Sequence, residues 1–180
     1  MVKSLLYLLK LSAVSVVALI GGRFIGIYLA GVVQDVNIIW NFSSVGGILN
    51  PVVPIENVKN IMTFADIFMY AVLSIGMSIV LIKSVFLHDG NLNVPIISKL
   101  ADKGIFSLIK STYHLYHWSV VWMAFLIIGS IVIIVDTFEG RTDMWVAVVT
   151  SLFSVFSFVI LIKDTFNEIE TAKSLVPNKS

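Results

Sequence analysis

Apolar residues dominate the chain in four long, nearly unbroken runs. They cover about Leu11 to Val33, Phe64 to Leu87, Trp118 to Val135 and Met144 to Ile162. A bilayer core is crossed by roughly 20 apolar residues in a helix. Each run predicts a transmembrane helix, because backbone groups in lipid have no water partner. The runs are continuous rather than alternating, which speaks against a β-barrel. The expected fold is all-α: a single domain of four transmembrane helices within residues 1–180.

Three polar stretches separate the runs. Residues 34–60 form the first loop, with Gly46-Gly47, Pro51 and Pro54 favouring turns and extended chain. Ile38, Ile39, Trp40, Phe42, Ile48 and Leu49 make this loop too apolar for full solvation, so it is expected to fold onto the membrane surface or a partner. Asn41-Phe42-Ser43 matches a glycosylation sequon, a pattern with a high chance rate. Residues 88–117 contain a helical pattern from Pro95, with Ile97, Leu100, Ala101, Gly104, Ile105 and Leu108 on one side and Lys99, Asp102, Lys103 and Lys110 largely elsewhere. That pattern predicts an interfacial amphipathic helix before span three, its lysines facing anionic lipid headgroups. A straight extension of span three is the alternative. Asp136, Glu139 and Asp143 fall in the short turn between spans three and four, and residues 163–180 form a tail.

Composition fits this picture. The chain is 58% hydrophobic and 13% charged, against about 25% charged in an average soluble domain. Mean hydropathy is +0.97. The net charge of +1 gives no electrostatic case for a nucleic-acid partner. With no cysteine, disulfides, thiolate metal sites and cysteine catalysis are excluded. The apolar run that begins after Lys10 reaches Val33, longer than a signal-peptide core, so span one is read as retained.

Lysine and arginine set the expected orientation. Lys3, Lys10, Lys83, Lys99, Lys103, Lys110, Lys163, Lys173 and Lys179 flank one side, and Lys59 and Arg141 the other. Both termini and the middle loop are therefore expected in the cytoplasm, or its organellar equivalent, in a plasma, inner or organellar membrane.

A few polar or small residues inside the spans carry the candidate chemistry. Ala18, Gly22, Gly26 and Ala30 recur every four residues in span one, a stripe that lets another helix approach closely. The other helix belongs to this chain or to a partner. Arg23 sits beside the stripe near mid-span, where an unpaired arginine costs about 2.5–3.5 kcal/mol on insertion scales. Asp66 is the one acidic residue expected inside a span, so it is the expected counter-ion. The pair either fixes helix register or contacts a ligand or pathway. Thr150, Ser154 and Ser157 share one side of span four, as a packing stripe or a narrow pore lining. His114 and His117 precede span three at a spacing of three, which puts both on one face for metal or haem binding, as joint ligands of a metal but not as the two axial ligands of a single haem. The competing reading is an aromatic and imidazole belt at headgroup level with Tyr113, Tyr116, Trp118 and Trp122.

Span two opens Phe64-Ala65-Asp66-Ile67-Phe68 and ends Ile82-Lys83-Ser84-Val85-Phe86, before a basic amphipathic stretch. In this and in its length and span number the chain resembles the YqhA-like family of small four-helix membrane proteins. The resemblance implies that fold and no residue roles. Arg23 and the long first loop depart from the family pattern.

No phosphate-binding loop, dinucleotide fingerprint, zinc-protease motif or nucleophile elbow is present, and no cofactor is expected. The sequence reading is a non-catalytic accessory or structural subunit of a larger membrane complex, its partners the bilayer and other subunits or copies of itself. A small homo-oligomeric channel or transporter is the alternative, and a haem- or quinone-binding electron-transfer subunit the third.

Overall fold

The computed structural model describes the backbone of residues 2–44, 46–47, 50–88 and 112–174, with side chains at 9–44, 46–47, 50–82 and 117–166. Four long helices dominate the described residues: α1 (Val2–Gln34), α2 (Val58–His88), α3 (Thr112–Phe138) and α4 (Met144–Ser174). Each holds a segment long and apolar enough to cross a bilayer: Leu9–Gln34, Val58–Ile82, His117–Phe138 and Met144–Phe166. The molecule is an all-helical, multi-pass membrane protein. The helices outrun the apolar runs at most of their ends, since a helix continues into polar chain until a cap or turn stops it. The interfacial helix expected from Pro95 lies outside the described residues, as do Ile48 and Leu49; from Thr112 the chain already belongs to α3.

Two of these stops have the same geometry. At the end of α1 the Asp35 amide donates to the Val32 carbonyl (3.4 Å) and the Val36 amide to the Gly31 carbonyl (2.9 Å). At the end of α3 the Gly140 amide donates to the Thr137 carbonyl (3.0 Å) and the Arg141 amide to the Asp136 carbonyl (2.8 Å). Both are Schellman caps, which require a left-handed residue after the helix. Gly140 supplies it at φ +74° and Asp35 at φ +53°.

The bundle packs through small residues. A β-carbon on Gly26 would lie 2.8 Å from the Ala65 Cα, and one on Gly22 would lie 3.1 Å from the Met69 Cα. Backbone therefore meets backbone where α1 crosses α2. Lipid tails are as apolar as the helices, so such close packing, rather than exclusion of water, holds helices together in a membrane. Between α2 and α3, Gly76 makes room for the Trp122 ring and Gly129 for Leu73. Met69, Leu73, Met77, Val80, Leu126 and Ile133 complete that core. Helices α2 and α3 each touch the other three, which leaves α1 and α4 across the bundle from each other.

The ends bearing the α1–α2 loop and the α3–α4 turn lie together. This end is called the loop end below. Ile39 and Val52 exchange backbone hydrogen bonds across the first loop (3.1 and 3.0 Å). Val36, Ile38 and Trp40 fold back against a second core of Ile27, Ala30, Ile61, Met62 and Ala65. The loop thus covers its own bundle with part of its apolar content, while Ile39 and Phe42 stay exposed.

Candidate functional site

Three helices deliver one charged side chain each to the interior of the loop end. Arg23 comes from α1, Asp66 from α2 and Asp136 from α3. Arg23 is 2% exposed and Asp66 0%. The guanidinium forks between them: Nη1 donates to Asp66 Oδ1 at 2.7 Å, and Nη2 donates to Asp136 Oδ2. A planar fork with several fixed donors suits two carboxylates better than an ammonium would. The α3–α4 turn adds Thr142, whose hydroxyl donates to the other Asp66 oxygen at 2.5 Å. All four helices are tied to this junction directly or through a turn.

The junction has a rim. Asn50, from the first loop, accepts from Arg23 Nη2 at 3.4 Å and from Arg141 Nη1 at 3.0 Å. Arg141 Nη1 also lies 3.8 Å from Asp136 Oδ1, and its Nη2 pairs with Glu139. Two arginines thus face three carboxylates, Asp66, Asp136 and Glu139. Beside it, Lys59 pairs with Asp143 at 2.6 Å, and the Asp143 amide donates to Thr63 at 3.1 Å. Together these bonds pin the start of α4 to the start of α2.

Asp136 corrects the sequence reading, which left it in the turn and took Asp66 as the one acidic residue within a span. Helix α3 runs on to Phe138, so Asp136 is a helical, buried residue inside a membrane-crossing segment. The signal was Gly140. A glycine there marks the residue after the helix, which puts Asp136 within its last turn.

One turn further into the bundle is a knot of hydroxyls. Tyr70 Oη donates to the Thr150 carbonyl (2.6 Å) and lies 2.7 Å from Ser154 Oγ. Ser130 Oγ is 2.8 Å from the same Ser154 oxygen. Thr150 returns its own hydroxyl to the Val146 carbonyl at 2.9 Å. Thr150 and Ser154 thus bond inside the chain. Ser157, the third residue of that stripe, is fully buried, and its hydroxyl has no hydrogen-bond partner among the described residues; the Trp122 indole N–H is in the same position.

The stripe in span one is likewise used internally. Gly22 and Gly26 face α2, Ala18 packs on the α2–α3 core and Ala30 belongs to the loop-end core. Gly21, next to the stripe, has open space around it. His117 lies in α3, and the side chain of His114 lies outside the described residues. Among the described residues no three histidine or carboxylate groups gather in a way that could hold a metal ion.

No family model, curated protein or solved structure matches this chain. Fold and site define its class, a four-helix multi-pass membrane protein with a buried arginine–dicarboxylate junction.

Proposed function

We propose that the protein is a non-catalytic structural subunit of a larger membrane assembly, with the loop end outside and both termini in the cytoplasm. The observation that carries this reading is the way the interior charges are used. Arg23, Asp66, Asp136 and Thr142 bond one another, so the strongest polar groups serve cohesion rather than a substrate. A junction of this kind holds four helices in one register. Much of α4, by contrast, turns apolar side chains outward, among them Leu152, Val155, Phe156 and Val159. A rigid bundle with an apolar outer helix suits a subunit that packs beside others in the bilayer. Gentle extraction from native membrane, after cross-linking, tests it. Co-purification of other membrane proteins in fixed ratio is the expected result. Recovery as a homo-oligomer alone would sink the proposal.

A second reading rests on Ser157. Its buried hydroxyl continues the line of Tyr70, Ser130 and Ser154 along the bundle, as the lining of a narrow conducting path would. Ion or proton flux in liposomes decides this. If Arg23→Leu and Ser154→Leu leave flux at the wild-type level, no path runs through these residues.

A further inference from the structure

The strongest unassigned feature lies at the loop end of α1. Tyr28, Gly31 and Val32 share one face of the helix, at spacings of three and four, and Asp35 follows as the left-handed residue that caps it. The chain that follows bends back beside them, and together they line a cavity of about 500 Å³ that includes Asn37 and Trp40. Trp40 is held in place by Phe24, ring centres 4.5 Å apart, and Ile38 is seated against Gly31.

The electrostatics of this cavity favour a cation. Asp35 is exposed and has no ion-pair partner among the described residues, while Lys59 is bonded to Asp143 and Arg141 to Glu139. Helix α1 ends here without a basic residue in its last turn. A helix C-terminus carries about half a negative elementary charge, so Asp35 adds a like charge where a positive one is normally found. Asp35 also occupies a left-handed position at φ +53°, which glycine fills at least cost. The aspartate thus stands where the helix dipole disfavours it, in a conformation that aspartate tolerates better than most side chains.

The walls say which cation. Asp35 is the single carboxylate lining the cavity, too few oxygens for a hard metal ion. Among the remaining walls, Tyr28, Val32, Ile38 and Trp40 are apolar or aromatic, which suits the tail of an amphiphile below a charged head. Position narrows it further. The apolar segment of α1 closes at Gln34, so Asp35 stands at headgroup level. Tyr28 lies seven residues deeper, about 10 Å at 1.5 Å per residue, at the depth of acyl chains. Asn37 brings an amide to the same cavity, a donor suited to a phosphate.

We propose that this cavity binds the ammonium headgroup of a zwitterionic phospholipid, the ammonium at Asp35 and the chains descending past Val32 and Tyr28.

Native mass spectrometry of the detergent-solubilised full chain tests it, with added phosphatidylethanolamine, phosphatidylcholine or phosphatidylglycerol. The expected result is preferential retention of the two ammonium lipids. Asp35→Asn and Asp35→Gly both tolerate the left-handed turn, and each lowers that retention about fivefold, the scale of an exposed ion pair. Asp143→Asn removes a charge elsewhere at the same end and leaves retention unchanged. Equal retention of phosphatidylglycerol, no loss in either Asp35 variant, or an equal loss in Asp143→Asn overturns the proposal. Displacement of the lipid by equimolar phosphoethanolamine, which has no acyl chains, also overturns it, because the site would then take the headgroup alone.

Discussion

At the scale of single residues, the Arg23 junction sets the energetics. Burying ions costs several kcal/mol each, and their mutual attraction recovers it only with good geometry. Removing one partner leaves an uncompensated charge. Arg23→Gln is therefore expected to destabilise the protein by about 3–5 kcal/mol. Adding Asp66→Asn to Arg23→Gln recovers part of that loss, because it removes one of two facing carboxylates. Thermal unfolding in detergent across the cycle checks this, and losses that simply add would show that the residues are uncoupled. Arg23 and Asp66 stood out in the sequence because a charge within an apolar run must find a partner. Asp136 did not, because three residues of uncertain helix end separated a buried counter-ion from a solvated turn. Ser130 and Tyr70 were missed as partners of Thr150 and Ser154 because one hydroxyl in an apolar run has no sequence signal of what it faces.

At the scale of elements, the sequence showed that four helices exist and where their apolar parts lie. It did not show which helix the small-residue stripe of span one would meet, since a stripe specifies closeness and not identity. The structure gives it α2, and the closest point is Gly26. A β-carbon there meets the Cα and carbonyl oxygen of Ala65 at 2.8 and 3.1 Å, and backbone cannot step aside as a side chain can. Gly26→Ala is expected to push α1 away from α2 and lower the melting temperature clearly. Gly21→Ala adds the same methyl group where nothing lies within 4 Å, and its expected effect is neutral or slightly stabilising. If the two variants melt together, the α1–α2 crossing is not where the bundle is tightest. Helix ends were less legible than helix centres: Lys59 and Asn60 read as loop, yet they fill the first turn of α2, where polar residues are free to face outward.

At the scale of the whole molecule, orientation is the expectation most open to direct measurement. The chain has no cysteine, so single replacements report without background. Glu56→Cys lies at the loop end and Lys173→Cys near the end of α4. In intact cells a membrane-impermeant maleimide is expected to label Glu56→Cys and to reach Lys173→Cys only after permeabilisation. The reverse pattern would invert the bundle and undo the argument from lysine bias.

The junction of Arg23 with Asp66 and Asp136 also has a consequence in time. The partners of Arg23 lie 43 and 113 residues further along the chain. At about 5–20 residues per second of synthesis, Asp66 follows it by about 2–9 s and Asp136 by about 6–23 s. Throughout that interval the newborn first helix carries an unmatched positive charge. Until its carboxylates arrive, span one carries a charge that costs about 2.5–3.5 kcal/mol on insertion scales, a cost that its own apolar residues have to offset.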